Sequence, residues 1–342
     1  MSRYLIGLDV GTSGAKCILC DDQGKVLASS TQEYPLYTPK PGLAEQDPED
    51  WWQGVKRGLK AILAKHPVQK GELAGISFSG QMHGLVALDE NMQVIRPSIL
   101  WCDQRTQKQC DEITEMAGGL DSLLGYTNNR MLTGYTGGKI LWLKEEEPEA
   151  FARMKVFVCP KDYIRYKLTG KIAIDMSDAS GTGFFDTKNR KWSDELIARC
   201  GLDKAIFPDC LESVDLAGTV TKEAAEETGL EEGANVYAGG GDAVIQTTGT
   251  GLVEPGVLGV VIGTSGNVSM GMNAFGPNPE GKLQMFCNND KTLWHCFGCT
   301  LTAGGALSWF TKTLCGEDKA DAQKLGKNVY ALIDERAAEV PA

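Results

Sequence analysis

The chain has only three histidines, His66, His83 and His295, too few and too scattered for a histidine-rich metal centre. It lacks basic charge in excess: 34 Lys and Arg stand against 45 Asp and Glu, a formal net charge of −11. No run of Lys or Arg is dense enough to track a phosphate backbone, so neither nucleic acid nor a membrane surface is expected as a partner. Roughly 18 apolar residues in a row, the minimum for a membrane-spanning helix, occur nowhere. The N-terminus passes from MSR straight into the strand-like YLIGLDV, without a signal-peptide apolar region or cleavage site, and a cytoplasmic location is the expectation. Eleven cysteines are an odd number, spread singly through a chain large enough not to need staples, and they read as reduced thiols. The spacings Cys17-x-x-Cys20 and Cys296-x-x-Cys299 invite a zinc reading. The first pair lies on a predicted strand, however, where positions i and i+3 face opposite sides, and buried small hydrophobes are the preferred interpretation.

What is present suffices for two domains with their own cores: 342 residues, 42% of them hydrophobic. Tyr4 to Val10, Ala15 to Cys20 and Lys25 to Thr31 read as an antiparallel meander. Asp47-Pro48-Glu49-Asp50 then combines an N-cap, a proline at the first helical position and acids in the first turn. Trp51, Val55, Leu59 and Ile62 follow with helical spacing, which predicts a helix packed on the sheet. A strand at Leu73 to Ser79, the segment Gln81-Met82-His83-Gly84 and a strand at Leu85 to Leu88 come next. Alternating strands and helices continue to about Val236, and the domain boundary is expected there, with residues 1–238 as the first domain and 239–342 as the second.

The tetrapeptide GTSG occurs at Gly11 to Gly14 and again at Gly263 to Gly266, each time after a strand-like apolar run. The second copy, flanked by Gly256 to Ile262 and Asn267 to Gly271, predicts a repeat of the first hairpin. Glycine-rich turns bring backbone N–H groups to an anion, and Thr12, Ser13, Thr264 and Ser265 add hydroxyl donors. Two ordinary hairpin turns are the alternative. Neither a P-loop nor a dinucleotide fingerprint fits, because Lys16 follows the first loop on a strand-like AKCILC and not on a helix. Asp9 precedes the first copy and Val261 the second, so only the first hairpin offers a carboxylate to Mg²⁺; Asp9 is otherwise an acid ending a strand.

Gly239-Gly240-Gly241-Asp242 follows a strand and precedes the helix-like AVIQTT. Asp242 could accept a hydroxyl proton or cap the helix, and a helix N-terminus would keep it ionised and therefore a weak base. Gln81 and His83 offer polar contacts suited to sugar hydroxyls, with Met82 as an apolar wall; a lone His in a turn is otherwise a surface residue. Trp101 and Asp103, in WCDQR, add a ring and a polar contact, although ordinary packing accounts equally for Trp101.

Taken in order, the DxGTS loop at Asp9, QMHG at Gln81, WxDxR at Trp101, PKDYIRYKLTG from Pro160, DMSDASGT from Asp175, GGGD at Gly239 and GTSG at Gly263 resemble the FGGY carbohydrate kinases. The resemblance implies two actin-like, ribonuclease-H-like α/β domains, the second incomplete here, and ATP-dependent phosphorylation of a ketopentose, D-xylulose first, at its terminal hydroxyl. Carried over by motif, Asp242 would be the general base and Asp9 would help position Mg²⁺. Gly11, Thr12, Ser13, Lys16, Gly263, Thr264 and Ser265 would face the nucleotide phosphates, with Gly304, Gly305 and Ser308 of TAGGALSWF near ATP. Gln81, Met82, His83, Trp101 and Asp103 would contact the sugar. Ala243 departs from the family's usual Asn, which keeps ribulose, rhamnulose, gluconate and glycerol open as substrates. A non-catalytic sugar-binding or regulatory protein is the reading from another class, and a homodimer is left open as the assembly.

Overall fold

A computed structural model describes residues 3–254, 256–263, 265–300 and 302–340. Strands and helices alternate in the expected α/β class. β1 (Tyr4–Val10), β2 (Gly14–Asp21) and β3 (Val26–Glu33) form the antiparallel meander, with Asp9 opposite Lys16 and Val10 opposite Ala15. β2 begins on Gly14 itself, and the Gly11 N–H donates to the Gly14 carbonyl at 3.1 Å, so the first GTSG is the hairpin turn. Asp47 caps α1 (Pro48–Lys65), its carboxylate accepting from the Glu49 N–H at 2.9 Å. The stripe Trp51, Val55, Leu59 and Ile62 is fully buried with Leu8, Val10 and Ala15 in one core, as the 3.6-residue period demands.

β4 (Leu73–Gly80) runs parallel to β1 and carries Ser79 opposite Asp9 and Gly80 opposite Val10. α2 (Pro160–Thr169) and α3 (Met176–Ser180) follow, then β5 (Leu216–Thr219), β6 (Asn235–Tyr237) and the two-residue β7 (Gly240–Gly241). These strands make one seven-stranded sheet in the order β5-β6-β4-β1-β2-β3, with β7 also paired to β4. Parallel pairing of β7 puts Gly240 opposite Ser79 and Gly241 opposite Gly80, so the GGGD run and Asp9 end at the same edge of the sheet. Among the described residues no helix is long and apolar enough to cross a membrane.

Gly239, which enters β7, has φ +72°, and a Cβ there would stand 2.4 Å from the Phe78 carbonyl oxygen. Backbone cannot retreat as a flexible side chain can. Gly239→Ala is therefore expected to destabilise the fold by about 2 kcal/mol or more, read as a lower urea midpoint with unchanged slope. An unchanged midpoint would show that β7 is not fixed by this approach.

Two compact units are resolved, Met1–Val257 with Met270–Cys296, and Leu258–Ser269 with Phe297–Ala342. The first unit runs past residue 238 because β7 pairs with β4 and fastens the glycine run to the first sheet. α4 (Asp242–Gly249) belongs to it. In the second unit, β8 (Leu258–Ile262) and the start of β9 (Gly266–Met272) flank the second GTSG, and α5 (Gly304–Thr313) follows. As in the first copy, one strand ends on the residue before GTSG and the next begins on its last glycine. Thr264 lies outside the described residues.

Candidate functional site

In the first unit Asp9 and Lys16 sit directly opposite on neighbouring antiparallel strands, hence on one face of the sheet. Asp9 is partly exposed and makes no hydrogen bond or ion pair among the described residues. Thr12, in contrast, is already held. Its Oγ1 donates to Gln81 Oε1 at 3.2 Å and accepts from the Trp101 indole N–H at 3.0 Å, while its carbonyl accepts from Gln46 Nε2 at 2.7 Å. The Gly11 carbonyl accepts from the Tyr34 hydroxyl at 2.5 Å and from Gln81 Nε2 at 3.4 Å. Ser13 is left exposed at the tip. The structure thus joins the first GTSG to QMHG and to Trp101.

Gln46 and Tyr34 escape a sequence reading. Gln46 is fully buried and also accepts from the Trp51 indole at 3.0 Å and from Gln81 Nε2 at 2.9 Å. Nothing in an isolated Gln before a helix cap or a Tyr after a strand announces such contacts; a buried amide meeting four partners does.

His83 is not a loose surface residue. It adopts φ +68°, its carbonyl accepts from Lys139 Nζ at 2.7 Å and Thr136 Oγ1 at 3.1 Å, and its ring lies 4.9 Å from Tyr135 and 5.9 Å from Phe286. Nδ1 is 2.9 Å from the Gly181 carbonyl, which can only accept, so Nδ1 carries the proton. Burial first, and then the Lys139 charge, push the imidazole down to about 3. At neutral pH His83 is therefore an uncharged ring whose Nε2 is a hydrogen-bond acceptor.

Met82 is buried, and a Cβ on Gly241 would stand 2.6 Å from three of its side-chain atoms. The apolar wall of QMHG thus lies on the glycine before Asp242. Asp103, expected as a polar contact to the sugar, is engaged within the protein. It is fully buried; Oδ2 accepts from the Ala44 N–H at 2.7 Å and from Arg105 Nη2 at 2.7 Å, and Oδ1 from Arg105 Nε at 2.9 Å. Both oxygens serve to fix the turn that carries Trp101.

Asp242 does not cap α4. Gly241 occupies the cap position and Asp242 opens the helix, its Oδ1 accepting from the Ala243 N–H at 2.7 Å. No cation pairs with it among the described residues. Its pKa moves opposite to the expectation for a helix N-terminus: desolvation by surrounding protein atoms, opposed by the Ala243 N–H and reinforced by the Asp9 charge, pushes it up to about 7. The residue is nonetheless exposed, and solvent screening cuts this rise back, leaving its upward direction. The carboxylate is thereby a stronger base than an ordinary aspartate.

Behind the glycine run lies a fully buried ion cluster. Lys161 Nζ contacts Asp162 Oδ1 at 2.8 Å, Asp175 Oδ1 at 2.5 Å and Asp178 Oδ2 at 2.8 Å, and Arg165 pairs with Asp162 at 2.8 Å. Cys159, Asp162 and Asp178 bring possible ligand atoms within 4.8 Å of one another. The Lys161 ammonium already occupies the place of the cation. Burial alone would lower Lys161, but the three carboxylates outweigh it and hold the ammonium well above its ordinary value. Burial also lifts Asp178 well above the carboxylate range, and its Oδ1 has no hydrogen-bond partner. Three carboxylates against two cations are balanced when Asp178 keeps its proton.

In the second unit the Gly263 N–H donates to the Ser265 carbonyl at 2.8 Å, and the Gly304 N–H to the Gly263 carbonyl at 2.9 Å. A Cβ on Gly304 would lie 2.6 Å from that same carbonyl. Glycine at 304 is thus what lets α5 start against the second GTSG, and Gly305 and Ser308 fall in its first turns. The Gly263 and Gly304 N–H groups are thus both engaged, the first within the loop and the second in joining it to the helix.

The profile described as the FGGY family of carbohydrate kinases, N-terminal domain, matches residues 4–249. A xylulose kinase of Bacillus subtilis (strain 168) is 42% identical over 311 residues, 91% of this chain and 62% of its own length. The crystal structure of xylulose kinase from Rhodospirillum rubrum superposes with a TM-score of 0.91 at 29% identity, covering 99% of this chain and 68% of the other. That of gluconate kinase from Lactobacillus acidophilus gives 0.85 at 27% identity, covering 92% and 63%. The chain therefore spans about 62% of the length of the curated Bacillus relative it matches. The matched stretch takes in the whole seven-stranded sheet and the loops that meet at its edge, from Asp9 through QMHG to Asp242, and the chain belongs to the FGGY family of carbohydrate kinases.

Proposed function

We propose that this chain phosphorylates a sugar with ATP, D-xylulose giving D-xylulose 5-phosphate, and that Asp242 is the general base. The observation that carries the reading is the carboxyl of Asp242, paired with no cation among the described residues, raised to about 7 and set against the QMHG wall through Gly241 and Met82. His83 Nε2 accepts a sugar hydroxyl proton in hydrogen bonding, and Trp101, 46% exposed and tethered to Thr12, covers the sugar. Asp242 takes the proton of the attacking hydroxyl as the oxygen commits to phosphorus. Gly11, Ser13 and Lys16, and in the second unit Gly263, Ser265, Gly304, Gly305 and Ser308, serve the nucleotide phosphates. Bound Mg²⁺ supplies charge neutralisation on those phosphates, and the free carboxylate of Asp9 fits it as an oxygen ligand.

ADP release by the purified chain with ATP, Mg²⁺ and D-xylulose tests this, with ribulose, rhamnulose, gluconate and glycerol run beside it; the Lactobacillus gluconate kinase likeness makes gluconate the informative rival. Because the working form of Asp242 is the ionised one and its pKa is raised to about 7, kcat/KM is expected to rise about tenfold per pH unit below that value and to level off above it. A profile flat down to pH ~5 would remove Asp242 as the titrating base. Calorimetric binding of sugar without ATP binding would replace the kinase reading by sugar binding alone.

A further inference from the structure

A line of hydrogen bonds leaves the buried ion cluster and ends one peptide short of Asp242. Lys161 Nζ holds Asp175 Oδ1 at 2.5 Å. Asp175 Oδ2 accepts from the Ser177 hydroxyl at 2.5 Å and from the Ser177 N–H at 2.7 Å. The Ser177 hydroxyl oxygen in turn accepts from the Gly241 N–H at 2.9 Å. A carboxylate can only accept and an amide N–H can only donate, so the direction of every bond is fixed. Asp175 and Ser177 are both fully buried, where no water competes for these groups.

The glycine strand is also hemmed in from its other side. A Cβ on Gly240 would meet Asn289 Oδ1 at 2.4 Å and Ser177 Oγ at 3.2 Å. Asn289 is itself tied, accepting from Ser213 Oγ at 3.0 Å and donating to Thr248 Oγ1 in α4 at 2.7 Å. The start of α4 thus has one adjustable tether, the Ser177 hydroxyl, and its far end another. β7 pairs with β4 through its backbone, but its two glycines have no side chains to pack, so the Ser177 hydroxyl is the side-chain contact that holds the Gly241 amide.

We infer that Asp175 and Ser177 are positioning residues for the Asp242 carboxylate: the buried charges hold Asp175, Asp175 aims the Ser177 hydroxyl, and that hydroxyl pins the amide from which Asp242 projects. This rests on the proposed role of Asp242 as base. Neither residue touches substrate. Their effect is to fix the backbone from which the Asp242 carboxyl projects at the start of α4. Without the pin, the first turn of α4 loosens and the carboxyl loses its fixed position.

The test uses the whole chain with ¹³C-carboxyl-labelled aspartate, the Asp242 signal being assigned by its loss in Asp242→Asn. In Ser177→Ala the Asp242 titration midpoint is expected to fall by about one pH unit or more, and Gly241 amide exchange to quicken about tenfold. Ser177→Cys, close in volume but a weak acceptor, should fall between, and it carries the test if the alanine variant does not fold. Where the wild-type chain turns over, Ser177→Ala should lower kcat about tenfold with the sugar KM within about twofold. A wild-type Asp242 midpoint together with wild-type Gly241 exchange in the substituted protein overturns the inference. Because midpoint and exchange need no turnover, their outcome is separate from that of the kinase assay.

Discussion

Asp242→Asn is expected to lower turnover about 10³-fold and, at pH 8, to make the protein more resistant to unfolding. Both effects come from one feature. The loss of rate follows because an amide cannot take the hydroxyl proton, while its shape preserves the Ala243 N–H contact and leaves sugar binding near normal. The gain in stability follows because folding raises the Asp242 pKa to about 7. Above that pH the folded protein must carry an ionised carboxylate crowded by protein atoms and by the Asp9 charge, a cost the unfolded chain does not have. As pH falls through 7 the folded form takes up its proton, and the cost shrinks; below the ordinary carboxylate value near 4 both states are neutral and it vanishes. Asparagine never bears it. Melting temperatures of the two proteins from pH ~4 to ~8.5 should therefore coincide at the acid end and separate as pH rises. Equal melting temperatures at pH ~8, or turnover within tenfold of wild type, would each count against an activated Asp242.

Lys161→Met is expected to be the most damaging single change to the fold, by about 3–5 kcal/mol. Methionine nearly fills the volume of lysine, so packing is not the issue. Asp162 and Asp175, with the protonated Asp178 beside them, would lose their common cation and keep only Arg165, which contacts Asp162 alone among them. Unlike a surface pair, this cluster has no solvent to replace the missing charge. The loss should narrow in acid, where the carboxylates can protonate. Urea unfolding followed at pH ~7 and ~4.5 measures it; a loss below ~1 kcal/mol at neutral pH would mean that the cluster is not held together by Lys161. Because Asp175 leads on to Ser177 and Gly241, any Lys161→Met protein that folds should also show the Asp242 shift described for Ser177→Ala.

The elements that formed as read from sequence are those whose signals are local. The meander, the Asp47 cap with Pro48, and the buried stripe from Trp51 to Ile62 depend on residues within one or two turns of each other. The two GTSG hairpins belong to the same class. Their strands end and begin on equivalent residues because the turn chemistry is written in the tetrapeptide itself. The motif order also carried the family, which the match over residues 4–249 shows.

Where the reading went astray, a distant partner decided. A cap was the alternative that its neighbours offered for Asp242, yet parallel pairing of β7 with β4 draws Gly241 into that position. The helix N-terminus predicted an ordinary, ionised acid, while crowding by groups remote in sequence moves it the other way. Asp103 looked like a free polar contact until Arg105 and the Ala44 amide took both its oxygens. DMSDASGT was visible as a motif, but its use by Lys161 and Gly241 was not. Sequence alone determined the hairpins, the helix starts, the family and the candidate residues, because periodicity, capping and turn chemistry act over a few positions. Only the tertiary structure decided which of those residues are held, which are left open, and how strong a base Asp242 is, because burial and hydrogen-bond partners come from segments brought together by the sheet.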